Sequence, residues 1–251
     1  QSANDLDLAR ADEKGITGAL RDRLKLTPAR IKSMAQGLRE VAELNDPVGY
    51  IVDEWVRPNG LKISQVRIPL GVIGMIYEAR PNVTSDAAGL CLKSGNVVFL
   101  RGGREAKHSN QAVLECLRSA IEQVGLPSDI LMSLPSTDRS WIMAMMKADA
   151  HIDVIIPRGG EALIDFVTEH SKVPVIKHYK GVCHVFVDEH ADLIKADDIC
   201  FNAKVHRPGV CNAMETLLIH ESVARRFIPG LFTRFRSAGV NICGCEKTSE
   251  I

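Results

Sequence analysis

From residue 71 onward, short apolar runs alternate with longer segments whose apolar residues recur every three or four positions. The short runs are typical of buried strands, and the longer segments are typical of helices with one apolar face. The predicted strands are 71–77, 97–101, 130–134, 152–157 and 173–176, and the predicted helices between them are 84–94, 104–124, 137–148 and 161–170. Because such alternation produces right-handed crossovers, we expect an α/β fold with a mostly parallel sheet covered on both faces.

The first 70 residues follow a different pattern. After a polar N-terminus of helical character, Thr27-Pro28 predicts the start of a helix, because threonine suits the N-cap and proline the first helical position. Asp46-Pro47 predicts the end of that helix. Two strand-like runs, 50–56 and 61–68, flank the turn at Pro58-Asn59-Gly60 and predict a hairpin or a pair of edge strands.

The last third of the chain again alternates. It predicts strands at 183–188, 214–220 and 240–243, helices at about 191–203 and 222–237, and a turn at 207–213. From the pattern alone, these elements continue the first sheet or begin another.

Charge and composition exclude several kinds of partner. Lysine plus arginine and aspartate plus glutamate both total 31, so neither nucleic acid nor an anionic membrane is expected as the main partner. No apolar run reaches the ~20 residues of a membrane helix. With no export signal and an odd number of cysteines, seven, we expect a reduced, cytoplasmic setting. Cys243 and Cys245 form the only close cysteine pair, so no metal site is expected.

Three loops follow predicted strands at the ends where α/β sheets bind ligands: 78–82, 101–104 and 158–160. Each loop contains an arginine, and two of them carry paired glycines at the entrance to a helix, which suits a phosphate or another anion. Alternatively, the glycines only form tight turns and the arginines are solvated. The usual dinucleotide motif G-x-G-x-x-G is absent.

Cys211 is the strongest candidate for a nucleophile. It follows the Pro208-Gly209 bend and lies outside any periodic apolar face, and a thiolate attacks carbonyl carbon well. The alternative is a small buried residue, which is what we expect of the other six cysteines.

Five stretches of the sequence resemble a known family. They are IPLGVIGMIYEARPNVT, CLKSGNVVFLRGGREAKHSN, HIDVIIPRGG, GVCHVFVDEHADL and NAKVHRPGVCNAMETLLIH. In this order they resemble the gamma-glutamyl phosphate reductases, or glutamate-5-semialdehyde dehydrogenases, of the aldehyde dehydrogenase superfamily. The resemblance implies reduction of L-glutamyl 5-phosphate by NADPH to L-glutamate 5-semialdehyde and phosphate, the second step of proline biosynthesis. Cys211 matches the nucleophile of that family, and Asn82 matches the asparagine of its oxyanion hole.

The same resemblance assigns the loops. Arg101, Gly102 and Gly103 align with the loop that holds the adenosine ribose, where a basic residue suits the 2′-phosphate of NADPH. Arg158, Gly159 and Gly160 align with the loop at the pyrophosphate-side helix. The candidates for substrate binding are Arg80 and Arg207, by charge and proximity to the motifs, and Asn212, which follows Cys211 directly. Solvated surface positions are the alternative. His178 stands about where hydrolytic relatives carry a general-base glutamate.

The resemblance further implies an NADP-binding Rossmann-like domain at 1–186 and the N-terminal part of an α/β catalytic domain at 187–251. We expect a chain truncated at both ends, a homo-oligomer at full length, and glutamate 5-kinase as a possible partner for substrate transfer. Two alternatives stay open: an inactive dinucleotide-binding module, or another aldehyde dehydrogenase that is hydrolytic or dependent on coenzyme A.

Overall fold

The computed structural model describes residues 1–136, 138–177, 181–208 and 210–251. They form two compact units, Gln1–His178 and Tyr179–Ile251. The domain boundary expected after residue 186 stays a prediction. No helix in these described ranges is long and apolar enough to cross a membrane.

The first unit contains a four-stranded parallel sheet flanked by helices. Its strands are β3 (Val72–Tyr77), β4 (Val97–Arg101), β5 (Leu131–Ser133) and β6 (Val154–Arg158). Their order in the sheet is β5-β4-β3-β6, and every neighbouring pair is parallel. Its helices are α4 (Asn82–Lys93), α5 (Lys107–Gln123), α6 (Arg139–Met146) and α7 (Glu161–His170), with short 3-10 turns at Arg104–Ala106 and Ser128–Ile130. The predicted α/β fold with a parallel sheet is confirmed.

Both faces of this sheet are buried, as the continuous apolar runs predict. Along β3, Ile73 and Tyr77 pack in the core that includes α4 and α5, whereas Ile76 packs in the core that includes α6 and α7. Between them lies Gly74, where a Cβ atom would come within 2.6 Å of Met145 Cε. The close approach of α6 to the sheet therefore depends on a residue without a side chain at this position.

The predicted strand at 173–176 is reduced to a single bridge, in which Val175 pairs with Ile155. Pro174 accepts a hydrogen bond from the Ile155 amide at 2.8 Å but has no N–H of its own to donate. A strand prediction based on apolar character was therefore too long here.

The predicted helix at 28–45 and the hairpin after it are confirmed. Helix α3 spans Pro28–Glu43, and Thr27 caps it by accepting a hydrogen bond from the Arg30 amide at 3.2 Å. Strands β1 (Ile51–Val56) and β2 (Lys62–Val66) pair antiparallel.

Two helices precede α3, namely α1 (Ser2–Glu13) and α2 (Gly18–Leu24). We call residues 1–24, which contain both helices and the segment between them, the N-terminal arm. Two buried polar residues of α1, Asn4 and Asp7, attach the arm to α5. The Asp7 carboxylate accepts hydrogen bonds from the Ser109 amide and hydroxyl, both at 2.7 Å. Asn4 donates to the Ser109 hydroxyl at 3.0 Å and to the Leu24 carbonyl at 2.9 Å. A buried polar group is costly unless it is paired, so these contacts specify where the arm docks.

In the second unit, the parallel strands β7 (His184–Val187) and β8 (Thr216–Ile219) are joined through α8 (Leu193–Val205), and α9 (Glu221–Ser237) and the short α10 (Glu246–Ser249) follow. The strand predicted at 240–243 is wrong. Val240 and Ile242 pack against the apolar core of this unit, but residues 240–243 pair with no strand among the described residues. The apolar residues of this segment pack into the core, but no neighbouring strand in the described part of the chain forms a ladder with them.

Candidate functional site

The loop between β3 and α4 places Asn82 at the first residue of α4, with an exposed side chain. Asn82 Nδ2 donates a hydrogen bond to Asp86 Oδ2 at 2.9 Å, one helical turn away. Burial raises the pKa of Asp86, and the hydrogen bonds from Asn82 and Ser85 oppose that rise. Because the amide carries two hydrogens, Asn82 retains a second donor beyond its bond to Asp86.

The loop after β4 has glycines where two side chains come close. A Cβ atom at Gly102 would collide with Asn110 Nδ2, and one at Gly103 would lie 3.1 Å from the Ala79 amide nitrogen. Asn110 also accepts a hydrogen bond from the Thr84 hydroxyl at 3.1 Å, and Thr84 in turn pairs with the Tyr77 hydroxyl at 2.7 Å. This buried polar network lies directly beneath the loop and holds its path.

Arg101 ends β4 and is half-buried. Burial, together with the positive charge of Arg104, lowers the pKa of Arg101. Arg104 ion-pairs with Asp138 at 3.7 Å. Two neighbouring guanidinium groups at the end of a strand form a local environment in which an anionic ligand is favoured.

The loop after β6 meets the end of β3 through Glu78. The Gly160 amide donates to Glu78 Oε2 at 3.0 Å, and the Glu78 amide donates to the Arg158 carbonyl at 3.2 Å. A Cβ atom at Gly159 would lie 2.7 Å from Glu78 Cδ, so this glycine makes room for the carboxylate. Glu78 therefore occupies the N-terminus of α7, where we expected an external anion.

An open cavity of about 650 Å³ brings the ends of β3 and β4 together with α6, α7 and the arm. Its lining residues are Ile16, Leu20, Leu24, Glu78, Ala79, Arg101, Gly103, Arg104, Glu105, Ile142, Ala162, Leu163 and Phe166. Two cations, two carboxylates and several apolar side chains share this concave surface, and the cations and apolar side chains fit a ligand with both a phosphate and a flat apolar ring. The residues present thus suit a dinucleotide. Sequence reasoning placed Glu78 in a candidate ligand loop but missed its hydrogen bond to the N-terminus of α7, and it missed the apolar contribution of α2 and α6.

In the second unit, Cys211 lies in the turn between α8 and β8 with an exposed side chain. The buried residue Met214 anchors the end of this turn by donating its amide to the Ala203 carbonyl at 2.9 Å. The Cys183 thiol donates to the Cys211 carbonyl at 3.2 Å. An exposed thiol on an anchored turn is the arrangement that a nucleophile requires.

Two of the predicted substrate-binding residues, Arg207 and Asn212, are exposed in the same turn as Cys211, whereas Arg80 is half-buried in the loop before Asn82. These three roles stay predictions. Gly209 and His178 lie outside the described residues.

The expectation that the other six cysteines are buried is wrong for three of them. Cys91 and Cys200 are buried, and burial raises the pKa of both thiols, that of Cys91 to about 11. Cys116, Cys243 and Cys245 are exposed. The Thr248 side chain lowers the pKa of Cys245 by hydrogen bonding to its sulfur at 3.3 Å. The described residues contain no group of three or more His, Cys, Asp or Glu side chains that could hold a metal ion.

Known proteins are similar to this chain over nearly its whole length. The chain is 53% identical over 249 residues to the gamma-glutamyl phosphate reductase of Thermodesulfovibrio yellowstonii, covering 99% of this chain and 60% of that protein. It is 57% identical over 241 residues to the one of Geobacter metallireducens, covering 96% of this chain and 58% of that protein. The resemblance seen in the sequence is thereby confirmed. The chain spans about 60% of the length of these curated relatives.

A solved structure and a family model complete the comparison. The crystal structure of gamma-glutamyl phosphate reductase from Thermotoga maritima has a TM-score of 0.91 and 46% sequence identity, covering 100% of this chain and 60% of that one. The model of the aldehyde dehydrogenase family matches residues 20–244. The chain therefore belongs to the aldehyde dehydrogenase family.

Proposed function

We propose that this chain carries the cofactor-binding part and the nucleophile of an enzyme that reduces L-glutamyl 5-phosphate to L-glutamate 5-semialdehyde and phosphate. The observation that carries the proposal is the exposed Cys211 on its anchored turn, in a chain 53–57% identical to gamma-glutamyl phosphate reductases. The first elements of the chain and the Cys211 turn both fall within that similarity, which covers 99% of the chain in one relative.

The Cys211 thiolate would attack the carbonyl carbon of the acyl phosphate. The bond to the phosphate oxygen breaks, phosphate leaves with the electron pair, and the acyl group remains on sulfur as a thioester. After the carbonyl carbon has been reduced, the tetrahedral alkoxide collapses, the carbon–sulfur bond breaks, and the thiolate is restored as the aldehyde leaves.

Negative charge develops on the substrate's carbonyl oxygen each time the carbon becomes tetrahedral, so a positioned hydrogen-bond donor lowers the barrier. By resemblance, Asn82 Nδ2 and the Cys211 backbone N–H would be those donors. The exposed amide of Asn82, whose bond to Asp86 uses only one of its hydrogens, supports the first assignment.

Membership of the aldehyde dehydrogenase family implies a nicotinamide dinucleotide cofactor, which supplies hydride when bound. We propose NADPH in particular. The paired cations Arg101 and Arg104 at the end of β4 support this choice, because a 2′-phosphate adds two negative charges that an unphosphorylated ribose lacks. By resemblance, the cofactor would meet the two loops that contain Gly102, Gly103, Gly159 and Gly160.

His178, in place of a general-base glutamate, supports phosphate as the acyl acceptor. A carboxylate there would activate water, and hydrolysis of the thioester would destroy the activated substrate.

The proposal is tested in the reverse direction. NADP+ reduction with glutamate semialdehyde is measured with and without inorganic phosphate, for the chain and for its Cys211→Ser variant. We expect activity that requires phosphate and is lost in the variant. Activity independent of phosphate would identify a hydrolytic dehydrogenase and contradict the proposal. Absence of activity in the unaltered chain would show that this part of the enzyme does not suffice for turnover, and the same test then applies to the full-length enzyme.

A further inference from the structure

The N-terminal arm lines the same cavity as the cofactor loops. Its apolar residues Ile16, Leu20 and Leu24 form part of the lining together with Arg101 and Arg104. The cavity also receives apolar side chains from α6 and α7, so charged and apolar surface meet in one space.

Buried contacts hold the arm at this position. Leu24 is 1% exposed and packs with Ala11 and Ala106, the last residue of the 3-10 turn that follows the β4 loop. Asp7 accepts hydrogen bonds from the amides of His108 at 3.1 Å and Ser109 at 2.7 Å, at the start of α5. The arm is thus fixed to the two segments that directly follow Arg101, Gly102 and Gly103.

Leu20 stands apart within the arm because it lines the cavity and is nevertheless 56% exposed. An exposed leucine gains free energy when an apolar ligand surface covers it. Arginines suit phosphate groups, whereas a purine ring is flat, largely apolar and suited to leucine, isoleucine and phenylalanine walls.

We propose that the N-terminal arm is a wall of the cofactor site and that Leu20 contacts the adenine base. This inference rests on the proposed function, because it assumes an adenine dinucleotide in the cavity. The first 24 residues then form part of the binding surface. They affect the affinity for the adenosine half of the cofactor and not the affinity for its other half.

Binding of adenosine 2′,5′-bisphosphate to the 251-residue chain, measured by isothermal titration calorimetry, tests the inference without any need for turnover. Leu20→Ala removes the contact, and Leu20→Glu also places a carboxylate beside the ligand. The matched control is Leu6→Ala, since Leu6 lies on α1, is 55% exposed and does not line the cavity. Inorganic pyrophosphate is the probe that lacks a base.

We expect Leu20→Ala to weaken adenosine 2′,5′-bisphosphate binding about three- to tenfold, with a larger loss for Leu20→Glu. Leu6→Ala should bind like the unaltered chain, and Leu20→Ala should leave the affinity for pyrophosphate unchanged. Equal affinities in Leu20→Ala and Leu6→Ala, with normal binding by the unaltered chain, would overturn the inference and leave the proposed function intact. An equal loss for pyrophosphate would also overturn it, because Leu20 would then act through the position of the loop. Failure of the unaltered chain to bind adenosine 2′,5′-bisphosphate would overturn the cofactor proposal and the inference together.

Discussion

Glu78 Oε2 accepts a hydrogen bond from the Gly160 amide at 3.0 Å, so a carboxylate of the protein itself occupies the N-terminus of α7. The positive end of a helix dipole stabilises an anion at this position. A cofactor phosphate that binds there must therefore displace Glu78 or share the site with a like charge.

Glu78→Gln keeps the shape of the side chain and removes its charge. We expect NADPH to bind about three- to tenfold more tightly to this variant, because a competing negative charge at the helix N-terminus is gone. Fluorescence titration of NADPH gives the dissociation constant. Glu169→Gln is the control, since Glu169 is an exposed carboxylate at the other end of α7. Weaker binding in Glu78→Gln would show instead that Glu78 helps to hold the cofactor.

Gly102 should tolerate no side chain. A Cβ atom there collides with Asn110 Nδ2 and lies 3.1 Å from Tyr77 Cζ, so Gly102→Ala must push the buried network or the loop aside. We expect a loss of about 1–3 kcal/mol in the free energy of unfolding, measured in urea, together with weaker NADPH binding. Gly37→Ala is the contrasting control, because Gly37 lies inside α3 with nothing within 4 Å of the added Cβ. It should stabilise the chain by about 0.5–1 kcal/mol. If Gly102→Ala left the free energy of unfolding unchanged, this result would contradict the close packing beneath the loop.

Tyr77 should make stability depend on alkaline pH. Burial raises the pKa of Tyr77 to about 12, from an ordinary value of 10.0. The unfolded chain therefore loses this proton first, and the stability present below pH 10 is lost as pH rises toward 12. We expect the free energy of unfolding of the unaltered chain to fall by about 3 kcal/mol more than that of Tyr77→Phe over this range.

Urea unfolding across that range measures the effect, and tyrosinate absorbance reports the titration. Tyr50→Phe is the control, because Tyr50 is 57% exposed. If the free energy of unfolding fell with pH by the same amount in the unaltered chain and in Tyr77→Phe, this result would contradict the burial of the Tyr77 hydroxyl.

The order of the helices and strands was predictable because it follows from periodicity, and most of the predicted ends fall within two or three residues of the observed ones. The strand at 173–176 failed because Pro174 cannot donate to a ladder, which apolar character does not reveal. The hydrogen bond between Glu78 and Gly160 joins residues that are 82 positions apart in the sequence. The hydrogen bond between Asp7 and Ser109 joins residues that are 102 positions apart. Such contacts depend on tertiary placement, and no local pattern in the sequence encodes them.

Thiol reactivity should separate Cys245 from its exposed neighbour Cys243. Thr248 lowers the pKa of Cys245, so its thiolate fraction at neutral pH is raised. We expect iodoacetamide to label Cys245 faster than Cys243 in peptide mapping, and Thr248→Val to remove the difference. Cys91 should stay unlabelled in the folded chain, since it is 6% exposed and its pKa is about 11. Equal rates at Cys243 and Cys245 would show that the Thr248 contact has no effect in solution.

If Cys211 carries the acyl group, a glutamyl thioester can be trapped on this residue. Glutamate semialdehyde and NADP+ are mixed with the chain in the absence of phosphate, in a Cys116→Ser/Cys243→Ser/Cys245→Ser background that removes the other exposed thiols. We predict a burst of NADPH of about one equivalent per active chain and a glutamyl adduct on the Cys211 peptide by mass spectrometry, and added phosphate should discharge the adduct and start steady turnover. Steady turnover without phosphate, or an adduct that persists in Cys211→Ser, would contradict the account.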